Sequence, residues 1–242
     1  MTTLTHAMVL AAGLGLRMRP LTLEMPKPLI SVAGKPLLDH ALDRVAAAGI
    51  GTAVVNTHYK GEMIAAHLKD RTAPRIVLSP EADLLETGGG IKHALPHLGT
   101  DPFLSVNADI LWMDGPTTAI ERLLQAWNPK AMDALLLLHP AVSAHGYDGK
   151  GDFHMDPVGK VTRRRSGEIA PFVFAGVQIL KPELFADTPD GAFSTNLIWD
   201  RLLESERLYG MRHDGLWFHV GTPASIGQVE EHLEVRQHHA ES

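Results

Sequence analysis

The sequence predicts an α/β fold in which a mixed, mostly parallel sheet carries helices on both faces and a small antiparallel insertion. Short apolar runs alternate with segments of helical periodicity through residues 1–140, and such strand–helix–strand units form parallel sheets with right-handed crossovers. Residues 143–171 are polar and rich in turn residues, which is typical of hairpins or a lid. Strand and helix patterns return afterwards without a repeat or a linker, so we expect one domain.

The elements of the first half follow from local patterns. Residues 7–12 are a short apolar run that ends at Gly13, as buried parallel strands do. Residues 36–48 have a helical apolar stripe, with a proline in the first turn and Gly49 as a stop signal. The same alternation predicts strands at 52–57, 75–78, 102–106 and 134–138, and helices at 61–69, 89–98 and 117–127. This order is typical of Rossmann-like proteins.

The second half combines the polar insertion with a return to regular elements. The patterns predict strands at 172–180, 208–213 and 217–220, and helices at 194–206 and 223–239. Ser194 is a candidate cap for the first of these helices. We expect the insertion to cap a substrate site at the edge of the sheet.

Composition excludes several classes of protein. The chain has no cysteine, which excludes disulfides, thiolate metal sites and a cysteine nucleophile. It has 22 Lys and Arg against 28 Asp and Glu, for a net charge of −6, whereas nucleic-acid binders are usually basic. No apolar run approaches the ~20 residues of a membrane span, and the first residues lack the cationic region of a signal peptide. We expect a cytoplasmic protein without nucleic-acid or membrane partners.

The strongest candidate site is the glycine-rich segment after the first predicted strand. Residues 10–20 read LAAGLGLRMRP, and PKPL follows at 26–29. Glycines after a strand let the backbone approach a ligand and present N–H donors to an anion, and Arg17 and Lys27 supply the charge that a triphosphate requires. A proline biases the residue before it toward extended backbone, so we expect Met25 and Lys27 to be extended, with Lys27 projecting from a stiff support.

Two other glycine-rich motifs fit less well. Gly13 and Gly15 begin a dinucleotide fingerprint, but Met18 stands in place of its third glycine. The acidic ribose ligand expected after the second strand is also missing. A Walker A loop would need Gly-Lys-Ser/Thr, which is absent. A nicotinamide-dependent oxidoreductase is therefore disfavoured.

Three stretches together resemble the signature of the sugar-1-phosphate nucleotidyltransferases. They are the segment at 10–29, the loop LETGGGI at 85–91, and the residues that end the fourth predicted strand, Asn107, Ala108 and Asp109. The resemblance extends along nearly the whole chain to Thr222. Within that family, residues 85–91, 151–153 and 174–176 are most similar to N-acetylmuramate-1-phosphate uridylyltransferases of cell-wall recycling.

The resemblance implies an activity and a metal. A nucleotidyl group would pass from a nucleoside triphosphate, UTP in this branch, to a sugar 1-phosphate such as N-acetylmuramate 1-phosphate, with release of pyrophosphate. Arg17, Lys27 and Asp109 would be the catalytic residues. Asp109 would hold Mg²⁺, with Mn²⁺ as an alternative. His219 stands in the stretch WFHVGT at 217–222, where relatives have Asp or Asn, so it is either the second metal ligand or a packing residue.

The same resemblance implies binding residues. Residues 1–140 would bind the nucleotide, residues 141–222 the sugar, and 223–239 would form the closing helix; a monomer is compatible with this sequence. The candidate nucleotide-binding residues are Leu10, Ala11, Ala12, Gly13, Gly15, Arg17, Met18, Lys27, Glu81, Thr87 and Gly88. The candidate substrate-binding residues are Asn107, Gly146, Asp152, Ala175 and Gly176.

Several alternatives stay open at this point. Mannose-1-phosphate guanylyltransferases and glucose-1-phosphate uridylyl- or thymidylyltransferases share the signature, and a non-catalytic nucleotide-binding module would also keep the pocket. Locally, Asp109 and Thr87 could be helix caps, Asp152 could lie in a solvated turn, and Gly176 could serve strand packing. Glu86 stands where the wider family has glycine, and it could accept hydrogen bonds from a base or a ribose.

Overall fold

The computed structural model describes the backbone of residues 3–240 and the side chains of residues 3–233. Its strands are β1 (His6–Leu10), β2 (Ser31–Val32), β3 (Lys35–Pro36), β4 (Thr52–Thr57), β5 (Arg75–Pro80), β6 (Phe103–Asn107), β7 (Ile110–Met113), β8 (Ala134–Pro140), β9 (Phe153–Met155), β10 (Val161–Arg163), β11 (Phe172–Leu180), β12 (Leu208–Arg212) and β13 (Leu216–His219). Its helices are α1 (Leu21–Glu24), α2 (Leu37–Ala47), α3 (Gly61–Leu68), α4 (Glu86–Leu98), α5 (Ala119–Ala126), α6 (Asn196–Glu204) and α7 (Pro223–Ala240).

The main sheet has nine strands and confirms the predicted fold class. β1 is an interior strand that pairs in parallel with β4 and β6, and β4 pairs in parallel with β5. β11 runs antiparallel to β6 and β8, while β12 is parallel to β8. The antiparallel hairpin β9–β10 joins β11 at one edge, within the segment for which hairpins are predicted. The register places Leu10 beside Asn56 and Asn107, so three strands end side by side.

Helices cover both faces of this sheet. Along β1 the side chains alternate, because Ala7 and Val9 pack into one buried cluster and Met8 into the other. The cluster that contains Ala7 takes the apolar faces of α2, α3 and α5, and the cluster that contains Met8 takes those of α4 and α6. Burial on both faces explains why the central strands are continuously apolar.

The structure differs from the sequence prediction at two elements beside the site. Helix α4 begins at Glu86 rather than at residue 89, because Leu85 forms the N-cap and the N–H groups of Gly88 and Gly89 both donate to the carbonyl oxygen of Phe193. Strand β7 was not predicted; it pairs with β13 in a small antiparallel sheet. Within residues 3–240, no helix combines the length and apolar character that a membrane span requires.

Stability should fall in mild acid because of a buried histidine at the end of β8. Burial lowers the pKa of His139 to about 4, although the ordinary histidine value is 6.5. At this position the unfolded chain therefore binds a proton more readily than the folded one. The contribution of neutral His139 to the free energy of unfolding is fully present above pH 6.5 and is lost as the pH falls toward 4. At pH 5 the loss is about 2 kcal/mol. Urea denaturation at pH 7.5 and pH 5 should show a smaller difference for His139→Leu than for the parent, and an equal difference would contradict this assignment.

Candidate active site

A cleft of about 380 Å³ opens where β1, β4 and β6 end. Ligands bind at this edge of open α/β sheets. The residues that line the cleft are Leu10, Ala11, Ala12, Gly13, Lys27, Pro28, Asn56, Leu84, Glu86, Thr87, Asn107, Ala108, Asp109 and Ser194. Eight of the predicted site residues are among them: Leu10, Ala11, Ala12, Gly13, Lys27, Thr87, Asn107 and Asp109.

A buried chain of hydrogen bonds fixes the loop after β1. The N–H of Ala11 donates to Asn56 Oδ1 at 2.7 Å, and Asn56 Nδ2 donates to Glu81 Oε1 at 2.7 Å. The other oxygen of Glu81 accepts from the N–H of Leu85 at 3.1 Å. Glu81, predicted to contact the nucleotide, therefore supports the cleft and does not line it. Asn56 lines the cleft, although it is not among the site residues predicted from the sequence. Its position at the end of the strand beside the glycine-rich loop could have indicated this role.

The second part of the glycine-rich segment packs beneath the cleft. Gly15 has a φ of 61°, and a Cβ there would lie 2.9 Å from the Cβ of Lys27, so glycine is required for contact with the lysine. Met18 is fully buried. Arg17 is exposed and lines a second cavity of about 460 Å³ together with Gly146 and His219. Gly15 and Met18, which are predicted as binding residues, thus pack beneath the cleft and do not line its wall.

Lys27 lies in a short 3₁₀ turn, Lys27–Leu29, and not in the extended backbone predicted for it. The turn forms because the N–H of Leu29 donates to the Pro26 carbonyl oxygen, and that of Ile30 to the Lys27 carbonyl oxygen. Met25 is extended as predicted, with φ −136° and ψ 157°. The Lys27 side chain is only 10% exposed, and its Nζ donates to Asp109 Oδ2 at 2.8 Å. The lysine is therefore a fixed cation at the floor of the cleft.

The β7–β13 ladder brings Asp109 and His219 together. Asp109 directly precedes β7, and His219 pairs with Ile110 across the ladder. His219 Nε2 lies 3.9 Å from Asp109 Oδ2. A strand and not a helix follows Asp109, which excludes the helix-cap interpretation of this residue. The ring of His219 also faces Gly221, where a Cβ would lie 3.0 Å from Cε1, so Gly221 leaves space for the imidazole.

The charges of this group of residues keep a carboxylate and a neutral imidazole side by side. Burial alone would raise the pKa of Asp109, but the Lys27 ammonium and its hydrogen bond, together with His219, hold it below the ordinary value. Burial lowers the pKa of His219, and Asp109 offsets this only in part. The imidazole is therefore neutral at pH 7 and keeps a nitrogen lone pair for a ligand or a hydrogen bond.

The donor set of this pair fits a hard divalent cation bound mainly by substrate. In residues 3–233 no three His, Cys, Asp or Glu side chains form a metal-binding group, so the protein offers Asp109 and His219 alone. Mg²⁺ is usually bound by one or two protein ligands, with phosphate oxygens and water completing its octahedron. Asp109 Oδ2 already faces one cation, the Lys27 ammonium.

The start of α4 presents two free donors and a carboxylate to the cleft. Within the described chain, the N–H groups of Glu86 and Thr87 have no acceptor, whereas that of Gly88 donates to Phe193. Gly88 is buried and a Cβ there would clash with the ring of Phe193, so Gly88 packs against Phe193 and does not line the cleft. Thr87 is not the helix cap, because Leu85 occupies that position; its Oγ1 accepts from the N–H of Thr195 at 3.0 Å.

The side chain of Glu86 projects from an uncommon backbone conformation. Its φ is 57°, which costs energy for any residue with a Cβ and is frequent at functional sites. The residue is exposed, lines the cleft, and forms no hydrogen bond or ion pair with the described residues. Its carboxylate is thus available to a ligand at the start of α4.

The predicted substrate-binding residues fall into two groups. Asn107 lines the cleft and also a third cavity of about 180 Å³ beside it, and Gly146 lines the second cavity. The others serve the fold. Asp152 Oδ2 accepts from the N–H of Phe174 at 2.9 Å, and Ala175 is fully buried. At Gly176, a Cβ would lie 2.6 Å from Ile110 Cδ1, so this glycine serves strand packing and not approach of a sugar.

A glycine-rich loop, a buried lysine and a carboxylate–imidazole pair lie together at the strand ends of a mixed sheet, an arrangement that suits a nucleotidyltransferase. Residues 7–168 match the model of the MobA-like NTP transferase domain, and the chain belongs to this family.

Two relatives are similar over nearly their whole length. N-acetylmuramate alpha-1-phosphate uridylyltransferase of Caulobacter vibrioides is 49% identical over 94% of this chain and 96% of its own. The enzyme of the same name from Neisseria meningitidis is 38% identical over 93% of this chain and 96% of its own. Among solved structures, HddC from Yersinia pseudotuberculosis complexed with GMP-PN superposes with a TM-score of 0.72, at 20% identity over 95% of this chain and 100% of its own. At this identity the likeness concerns the fold.

Proposed function

We propose that the protein transfers a uridylyl group from UTP to N-acetylmuramate 1-phosphate, giving UDP-N-acetylmuramate and pyrophosphate. The observation that carries the proposal is the 49% identity to the Caulobacter vibrioides uridylyltransferase over 94% of the chain. The cleft supports it, because an apolar floor at Leu10 and Ala12 suits a base and ribose, while Lys27 suits a phosphate.

The reaction requires positioning and neutralisation of charge more than proton transfer. A phosphate oxygen of the sugar 1-phosphate attacks the α-phosphorus in line, a new P–O bond forms, and the bond to the bridging oxygen breaks to release pyrophosphate. The attacking phosphate is already ionised at neutral pH, so no strong general base is needed. Holding the two substrates in line and stabilising developing negative charge then provide the catalysis.

The residues of the cleft have distinct roles in this proposal. Lys27 Nζ is fixed at the cleft floor and stabilises charge on the α-phosphate. The loop at Ala12 and Gly13 turns backbone N–H groups toward the phosphates. Arg17, at the second cavity, holds the β- and γ-phosphates that leave as pyrophosphate. Asp109 and His219 would hold Mg²⁺, which supplies positive charge beside the reacting phosphates when bound.

The cavities support a division of the chain between the two substrates. Among the described residues, Ser194 is the single residue after position 140 that lines the main cleft, whereas residues from 174 onward contribute most of the third cavity. We therefore assign residues 1–140 to the nucleotide and residues 141–222 to the sugar, with α7 as the closing helix. We further propose that the protein acts as a cytoplasmic monomer.

Pyrophosphate release tests the proposal. UTP, dTTP and GTP are each combined with 1-phosphates derived from muramate, glucosamine, glucose and mannose, in the presence of Mg²⁺. N-acetylmuramate 1-phosphate with UTP should exceed mannose 1-phosphate with GTP by a clear margin in kcat/KM. The reverse ranking would make the protein a guanylyltransferase, and no release with any pair would favour a non-catalytic nucleotide-binding module.

Mannose-1-phosphate guanylyl transfer is the second candidate, and Glu86 is the observation that favours it. Guanine presents two adjacent donors, N1–H and N2–H, which one carboxylate accepts together, whereas uracil presents a single N–H between two carbonyls. The Glu86 carboxylate lines the cleft and pairs with none of the described side chains. If GTP is the substrate, Glu86→Gln should weaken GTP selectively; under the UTP proposal, UTP should remain the better substrate of the parent and the variant.

His219 predicts an unusual metal preference. Imidazole is a softer ligand than a carboxylate, so Mn²⁺ should gain relative to Mg²⁺. His219→Asp should shift the ratio of rates with the two metals toward Mg²⁺, and calorimetry should show a parallel change in Mn²⁺ affinity. His93→Ala, an exposed histidine on α4, is the control. An unchanged ratio in His219→Ala would show that His219 only packs at the site.

A further inference from the structure

The third cavity adjoins the main cleft. It has a volume of about 180 Å³ and shares Leu10, Thr87, Asn107 and Ser194 with the cleft. Its remaining wall comes from β11 and the start of α6 and includes Phe174, Gln178 and Trp199. Asn107 stands two residues before Asp109, so a sugar whose phosphate lies at Lys27 and Asp109 has this cavity beside its ring.

Gln178 is the unusual residue of this cavity, because only the oxygen of its side-chain amide has a hydrogen-bond partner among the described residues. The residue is 1% exposed, and its Oε1 accepts from Trp199 Nε1 at 2.9 Å. An indole N–H is a donor only, so it fixes which end of the amide faces it. Nε2 consequently faces away from Trp199. Nε2 forms no hydrogen bond with the described residues and remains accessible from the cavity.

The neighbouring strands do not satisfy this donor. Gln178 is in register with Ser105 on β6 and with Leu136 on β8. Leu136 has no polar side-chain atom, and the hydroxyl of Ser105 is itself buried without a hydrogen-bond partner among the described residues. Nε2 is therefore a donor at the cavity wall, and an acceptor from outside the chain, either water or a ligand group that enters the cavity, can pair with it.

We propose that the cavity holds the 2-acetamido group of the sugar 1-phosphate, with Gln178 Nε2 donating to the acetamide carbonyl oxygen. The choice of an N-acetylated sugar rests on the proposed function. The rings of Phe174 and Trp199 pack edge to face, with centroids 4.8 Å apart, and offer an apolar wall to the methyl group. A carboxylate does not suit the cavity, since no lysine or arginine among residues 3–233 lines it and burial of an unpaired charge is costly. A hydroxyl group could accept the hydrogen bond but has no methyl group to pack against the two rings.

The first test uses the parent protein and measures binding, so that it does not depend on turnover. Calorimetry compares N-acetylmuramate 1-phosphate with its analogue that carries a hydroxyl in place of the acetamido group. The acetamido compound should bind at least about tenfold more tightly, the worth of one hydrogen bond with its apolar contact. Equal affinities overturn the inference. Absence of pyrophosphate release despite selective binding contradicts the proposed function and leaves the inference standing.

Gln178→Met tests the residue itself. It should bring the affinity ratio of the two compounds close to one by weakening the acetamido compound about tenfold, with the hydroxyl analogue changed less than about twofold. An equal loss for both compounds would show a structural role for Gln178 and overturn the inference. Ser105→Ala is the matched control, because it changes a buried polar residue in register with Gln178 that does not line the cavity; the ratio should stay at the parent value. If Gln178→Met does not fold, the parent ratio decides.

Discussion

Replacement of Lys27 with alanine should lower kcat by at least about 100-fold, the loss of ~3 kcal/mol that accompanies removal of one transition-state donor. The lysine is 10% exposed and fixed at the cleft floor, where Asp109 is its partner. Since the triphosphate as a whole carries more negative charge than one carboxylate, the ammonium can exchange Asp109 for the α-phosphate when the substrate binds. The turn at 27–29 fixes the backbone of Lys27, and Gly15 packs closely against its side chain. The ammonium group therefore stays in position when its partner changes.

The control for Lys27 is a lysine of the same charge outside the cleft. Lys160 forms an ion pair with Glu206 in which both side chains are well exposed, and such pairs contribute little to stability. Lys160→Ala should retain parental kcat. In Lys27→Ala, circular dichroism should show the parental fold, and burial should raise the pKa of Asp109 once its cation is gone. Near-parental turnover in Lys27→Ala would remove the lysine from the mechanism.

The elements with strong local signals could be predicted from the sequence. β4 and β11 have the predicted bounds, at 52–57 and 172–180, because each is an apolar run between residues that interrupt regular structure. β7 could not be predicted in this way. It has four residues, and it is a strand because it pairs with β13, which lies far away in the sequence. Pairing between distant segments leaves no local periodicity.

The glycines of the candidate site show what residue type reveals and what it leaves open. A glycine-rich motif indicates a close approach, but the residue that approaches is set by the tertiary structure. At Gly88 it is Phe193, and at Gly176 it is Ile110, whereas a ligand was predicted at both. The glycine-rich loop at Gly13 faces open space, and there the prediction of a lining residue agrees with the structure.

The role of Lys27 could be predicted in part. Its charge beside a glycine-rich loop indicated a phosphate site, but its partner, Asp109, is 82 residues away. The ion pair forms because β1 and β6 are neighbours and end at the same edge of the sheet. Gln178 gave no sequence signal at all, since a single glutamine in an apolar strand becomes informative only when its unpaired amide and the adjoining cavity are known.

Asp109→Asn should abolish most of the activity, with kcat at least about 100-fold lower, and should weaken Mn²⁺ binding more than it weakens nucleotide binding. The substitution keeps the shape of the side chain but removes the charge that faces both Lys27 and His219. A neutral amide is a poorer ligand for a hard cation. It also no longer repels the triphosphate, so the affinity for UTP without metal should be retained or should increase.

Two titrations separate this role of Asp109 from a structural one. Electron paramagnetic resonance measures bound Mn²⁺ in the parent and the variant, and equilibrium dialysis measures UTP in the presence of a chelator. Asp190→Asn is the control, because Asp190 is fully exposed and pairs with Lys92 away from the cleft; both affinities should be parental. A structural role would weaken UTP binding without metal as much as Mn²⁺ binding, since the cleft that Asp109 shares with Lys27 would itself be altered. Full activity of the parent in excess chelator would contradict metal dependence altogether, and Asp109 would then act only by holding Lys27 in place.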